Sequence, residues 1–210
     1  CFLFMMGFAG FINVAGSERF IVENGKPNAE IIIAEKPARA AEFGAEELQR
    51  YVVKTTGARL KIVTAPTTEK LVRIFIGESV HARQAGVTTE GLKRDSFKIV
   101  SGENWLALVG NDLEFESREP WARSHGQWAR EKQAEWEKLA GKPWMNPIGR
   151  SLYRDYNRQL DIWNLDHRGS LNAVYAFLRE LGVRWYRPGP LGEIVPKAKD
   201  VALPKIDRTV

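Results

Sequence analysis

Acidic, imidazole and indole side chains carry whatever chemistry this 210-residue chain has. Glu114, Glu116 and Glu119 crowd one short stretch, and two carboxylates held roughly 5 to 10 Å apart are what acid/base cleavage of a glycosidic bond requires. These three fall in loop-like sequence where acidic groups are simply solvated, so no catalytic residue is assigned. His81, His125 and His167 stand apart and form no HxH or HExxH spacing. Asp161, Asp166 and His167 make the densest ligand-like group, but Asp166 reads better as the N-terminal cap of a helix beginning near Arg168, and no metal is expected. There is no G-x-S-x-G elbow and no glycine-rich phosphate loop, so neither a serine nucleophile nor a nucleotide cofactor is implied, and the expected cofactor list is empty.

Five of the seven tryptophans lie between Leu113 and Asp166. Trp121, Trp128, Trp136 and Leu139 are spaced by 7, 8 and 3 residues, which places them on one side of a helix that Gly141 and Pro143 bring to an end. An indole stripe of this kind docks a helix on its own domain, since each ring buries roughly 150 to 250 Å². Indole faces also stack on the C–H face of a pyranose ring, so Trp144, Trp121, Trp128 and Trp163 are the candidate substrate-binding residues. Trp144 leads them because it sits outside the stripe, in Lys142-Pro143-Trp144-Met145-Asn146-Pro147.

The elements that must position these residues follow from periodicity. Phe20-Ile21-Val22 and Glu30-Ile31-Ile32-Ile33, with Asn24-Gly25-Lys26-Pro27-Asn28 between them, predict a hairpin. Ala41, Ala45, Leu48 and Val52 form one apolar helical stripe that stops at Gly57. Short apolar runs at 60–63, 72–76, 97–100 and 105–109 predict strands, the last two paired through Ser101-Gly102-Glu103-Asn104. Leu171, Val174, Tyr175, Leu178 and Leu181 predict a second helix, closed by Gly182 before the strand Val183-Arg184-Trp185-Tyr186. The expected fold is α/β, a two-layer sandwich with a mixed sheet, two main helices packed on it, and a helical insertion at about 113–166.

Composition narrows the partners. The net charge is +5, but 113–166 holds nine Lys/Arg and nine Asp/Glu and no basic run occurs, which argues against nucleic acid. Cys1 is the single cysteine, so no intrachain disulfide or thiolate zinc site can form. The first charged residue is Glu18, and the apolar run from Phe2 leads to small residues near Ala15. That pattern predicts a secretory leader remnant over 1–17, too short for a stable membrane span of roughly 20 residues, and a secreted or periplasmic domain over 18–210.

Two blocks resemble a known family. Ala41-Glu42-Phe43-Gly44-Ala45-Glu46-Glu47-Leu48-Gln49-Arg50-Tyr51, Thr56-Gly57-Ala58 and Ile74-Phe75-Ile76-Gly77 form the first. The second is Arg168-Gly169-Ser170-Leu171-Asn172-Ala173-Val174-Tyr175-Ala176-Phe177-Leu178 with Leu181-Gly182-Val183-Arg184-Trp185-Tyr186-Arg187-Pro188-Gly189. Together they are similar to the N-terminal domain of bacterial α-glucuronidases. The related module that precedes the barrel of β-N-acetylhexosaminidases shares the plan, as do secreted bacterial proteins of unassigned function. The resemblance covers most of 20–196 and breaks at 113–166. It implies a non-catalytic accessory domain of a secreted glycoside hydrolase that packs on a downstream TIM-barrel catalytic domain, with polysaccharide as a further partner. Arg168, Arg184, Trp185 and Tyr186 are then the candidate interdomain contacts, and Trp185-Tyr186-Arg187-Pro188 the hinge. The alternative is a carbohydrate-binding module that uses exposed tryptophans.

Overall fold

The computed structural model describes residues 19–68, 71–115, 131, 134–135, 137–139, 141, 156–157 and 162–210. The leader expected over 1–17 lies outside them, as does most of 113–166. The chain is an α/β sandwich built on a six-stranded mixed sheet. Its elements begin with β1 (Phe20–Glu23), β2 (Lys26–Pro27), β3 (Ala29–Ile32), α1 (Arg39–Thr56), β4 (Lys61–Val63), β5 (Val72–Ile76) and α2 (Val80–Gln84). They continue with β6 (Phe97–Ser101), β7 (Trp105–Gly110), β8 (Tyr156–Asn157), β9 (Ile162–Trp163), α3 (Gly169–Glu180), β10 (Arg184–Trp185), β11 (Glu193–Ile194), β12 (Val201–Ala202) and β13 (Asp207–Thr209).

The main sheet runs β13-β6-β7-β5-β3-β4. Strands β7, β5, β3 and β4 are mutually parallel, β6 runs antiparallel to β7, and β13 pairs antiparallel with β6 and so points the same way as β7. Alternation along each strand divides the interior. Ile31, Ile74, Ile76, Ile99, Leu106 and Leu108 face α1 and α3, while Ile32, Phe75, Ala107 and Val109 face Ala82 of α2 and Val87. Removing one such side chain from water stabilises the fold by about 1.5 to 3 kcal/mol.

Both helices form where the stripes predicted. Ala41, Ala45, Leu48 and Val52 are buried, and Gly57 closes α1 at φ +81° with its N–H on the Val53 carbonyl, a left-handed cap that glycine adopts without strain. In α3, Leu171, Val174 and Leu178 are buried. Its first turn is pressed against the end of β7, where a Cβ on Gly110 would lie 2.0 Å from the Gly169 carbonyl carbon, so only glycine permits the approach.

Three expectations need correction. The hairpin partner of β1 is β2, not the 30–33 run: Glu23 faces Lys26 across the two-residue turn Asn24-Gly25, both at positive φ, as a type I′ turn demands. Strand β3, with all four residues buried, enters the main sheet between β4 and β5, because a run apolar on both faces needs a central position. Second, the 183–186 strand stays out of the main sheet: β10 pairs with β11 as a separate two-stranded ribbon, and β1 joins β12 and β2 in a small third sheet. Third, Asp166 does not cap α3; Asp112 accepts the Ser170 N–H at 2.9 Å and Asp95 the Arg168 N–H at 2.7 Å.

Candidate functional site

Trp185 is the centre of the side-chain cluster closest to the expected interdomain contacts. The tight turn at Gly182 returns the chain along α3 and sets the indole between Tyr51 of α1 and Tyr175 of α3, edge-on to both at 5.3 and 5.2 Å. Its Nε1 donates to the Tyr51 hydroxyl at 2.6 Å, and that hydroxyl donates to Glu193 of β11, which also holds Lys54 at 2.6 Å. Tyr175 donates to Glu47 at 2.9 Å, and Arg50 pairs with the same carboxylate at 2.6 Å.

The network shapes the acidities. Burial, and then donation to Glu193, raise the Tyr51 phenol, and burial followed by the Glu47 carboxylate raise Tyr175 further. Hydrogen bonds from Lys54 and then Tyr51 hold Glu193 below the usual carboxylate range. Tyr51 and Tyr175 are therefore neutral and Glu193 ionised at neutral pH, and the cluster is a fixed scaffold. An open cleft of 680 Å³ lies over it, bounded by Arg50, Lys54, Tyr186, Arg187 and Glu193 among others.

Tyr186 is 75% exposed beside this cleft, and Leu191 and Ile194 on the same ribbon are 87% and 53% exposed. Trp185 also lines a second groove, of 530 Å³, with Phe97, Tyr175 and Val210. The other two candidate contacts are structural in position. Arg184 donates to the carbonyls of Arg179 and Val183 at the end of α3, and Arg168 donates through Nη2 to the Trp163 carbonyl at 2.8 Å.

The tryptophan candidates fare differently. Trp121, Trp128 and Trp144 lie outside the described residues, as do Trp136, Glu116, Glu119, His125 and Asp161. Helix is present at 131, 134–135 and 137–139, with Gly141 at φ +66° donating to the Glu137 carbonyl, the stop that the sequence predicted. Trp163 is 0% exposed and packs edge-on against Phe115 at 5.2 Å, so its ring offers no face to a sugar.

Sequence reasoning missed the clasp beside it. Asp166 accepts from Arg39 at 2.8 Å, from the Phe115 N–H at 2.7 Å and from the Trp163 N–H at 2.8 Å, tying both arms of the 113–166 segment to the start of α1. Burial opposes ionisation of this carboxyl, but Arg39 and the two backbone donors outweigh it and hold it below its ordinary range.

A smaller crevice of 310 Å³ opens beyond the carboxyl ends of β3, β5 and β7, lined by Ala34, Ile76, Asn111, Asp112, Leu113 and His167 among others. Asn111 donates through Nδ2 to the Leu92 carbonyl and presents Oδ1 to Nδ1 of His167 at 3.0 Å. Burial pushes the Asp112 carboxyl up to about 6; its bonds to Ser170 oppose the shift and the charges of Asp95 and Glu114 add to it. Among the described residues no group of three His, Cys, Asp or Glu side chains could hold a metal ion, and no helix is long and apolar enough to cross a membrane.

No protein-family model and no curated protein matches the chain. A solved structure that it resembles is a family GH115 4-O-methyl-α-glucuronidase with specificity for decorated arabinogalactans. The alignment covers 60% of this chain and 15% of that one, at 24% identity and a TM-score of 0.36. This chain thus spans a small part of that enzyme, and a likeness of that score carries no functional argument.

Proposed function

We propose that the chain is a non-catalytic accessory domain of a secreted carbohydrate-active enzyme, and that it packs against a catalytic barrel of the same polypeptide. The observation that carries this reading is the set of exposed apolar side chains Tyr186, Leu191 and Ile194 within nine residues of chain, together with Val210, 59% exposed in the groove that Trp185 lines. Exposed apolar residues concentrated on this ribbon and its turn suit contact with another body, and the Tyr51–Trp185–Tyr175 cluster anchors the ribbon to α1 and α3. Buried carboxylates elsewhere tether structure: Glu30 holds the Thr67 loop, Glu47 holds Arg50 and Tyr175, and Asp166 holds Arg39. The alternative reading as a carbohydrate-binding module draws no support from Trp163, whose ring is enclosed.

The test is to read the coding sequence beyond Val210, express the longer polypeptide, and compare backbone hydrogen exchange at 186–194 with that of the 210-residue chain. Docking predicts slower exchange on the ribbon in the longer protein and loss of that protection in the Leu191→Asp variant. Equal exchange in both forms, or a stop codon directly after Val210, defeats the reading.

A further inference from the structure

We infer that the crevice beyond the carboxyl ends of β3, β5 and β7 is a binding site for a small, uncharged, polyhydroxylated molecule about the size of one sugar ring. This inference goes beyond the accessory-domain reading and stands on different residues. Topology is the first argument. The chain leaves β3 for α1 on one face of the sheet and leaves β5 for α2 on the other, so the two connections part above the strand ends. In open α/β sheets a crevice outside the carboxyl ends of the strands, at such a switch point, is where ligands bind. Ala34 and Pro37 follow β3, Glu78 follows β5, and Asn111 to Leu113 follow β7, and all of them line this crevice.

Chemistry of the lining selects the ligand. Because Asn111 is oriented by its bond to the Leu92 carbonyl, its Oδ1 faces His167 and Nδ1 of the imidazole donates to it, so that in the neutral ring Nε2 is the acceptor. Asp112 contributes a second acceptor, held in place by the N–H of Ser170. Glu78 is occupied by Arg83 and Thr89. Two acceptors with no side-chain cation among the lining residues suit a ligand that brings hydroxyl donors and repel phosphates and carboxylates, since the nearby Arg39 is engaged by Asp166 and the Phe115 carbonyl. Pro37, Ala38, Ala41 and Ile76 make an apolar wall that suits the C–H face of a ring and would strip water from an ammonium group without replacing it. At 310 Å³ the space is at the lower limit for ligand pockets.

The test is titration of the intact chain, followed through the His167 ring resonances in NMR, with D-xylose, D-glucose and myo-inositol, and with methylammonium and inorganic phosphate as charged probes. Saturable shifts by at least one of the three polyols below about 100 mM are expected. Leu113→Trp, at a 59% exposed position on the rim, and the ring-preserving His167→Phe are each expected to weaken polyol binding by about tenfold or more. In the latter, the signals of residues 110–113 serve as the readout. No polyol shift, shifts from methylammonium or phosphate alone, or polyol binding unchanged in Leu113→Trp would overturn the inference. None of these outcomes bears on ribbon docking, because the variants leave β10 and β11 untouched.

Discussion

Replacing Asp112 by Asn isolates the electrostatic cost of holding a carboxylate at the end of β7. Asp112 caps α3 through the Ser170 N–H, and its carboxyl is pushed up from an ordinary 3.8 to about 6, chiefly by burial. The folded state therefore binds this proton more tightly than the unfolded chain does, so the group's contribution falls as pH rises from about 4 to about 6 and is constant above that. A difference of about 2 pKa units at 1.36 kcal/mol each makes the ionised form about 3 kcal/mol less favourable to folding at pH 7 than the protonated form at pH 4. Asn keeps an oxygen for Ser170 and cannot ionise. Urea unfolding followed by tryptophan fluorescence at pH 4, 5, 6 and 7 is expected to show the variant gaining on the parent by about 3 kcal/mol across that range, most of it between pH 4 and 6. A stability difference that stays flat with pH would refute the reasoning, and one that moves the other way would show the ionised carboxylate to be stabilising at the cap.

Two further substitutions probe the tertiary contacts. Asp166→Ala removes the partner of Arg39 and of two backbone N–H groups and is expected to cost about 3 kcal/mol at pH 7, measured by the same unfolding assay. Because that carboxyl is held below its ordinary 3.8, its contribution is present above pH 4 and is lost as pH falls through the depressed folded value, so parent and variant should converge in strong acid. Trp185→Ala deletes both edge-on tyrosine contacts and the bond to the Tyr51 hydroxyl, with an expected loss of about 2 to 3 kcal/mol. The same change should bring the Tyr51 titration, followed by ultraviolet absorbance, to a different midpoint.

Much of the fold was legible because its signals are local. The stripe Ala41, Ala45, Leu48 and Val52 and the stop at Gly57 lie within one helix, and the β6–β7 hairpin closes over three residues between Ser101 and Trp105. Each needs only neighbours along the chain, where periodicity and turn geometry act. The candidate site was less legible. Trp185 and Tyr186 were singled out through the family resemblance, yet Tyr51 and Tyr175, which hold the indole, looked like ordinary helix residues.

The amino-acid sequence by itself determined the fold class, the two long helices, the strands at 60–63, 72–76, 97–100 and 105–109, and the stripes that face the core, since apolar spacing dictates which side of a helix or strand must leave water. Only the tertiary structure decided the partners. Arg39 and Asp166 are 127 residues apart and Tyr51 and Trp185 are 134 apart, and no local preference links them. The same holds for the choice of β2 over the 30–33 run as the partner of β1, and of Asp112 over Asp166 as the cap of α3. Those selections were made when burial of β3 on both faces and the close approach of Gly110 to Gly169 left an arrangement that fills the interior without overlapping backbone.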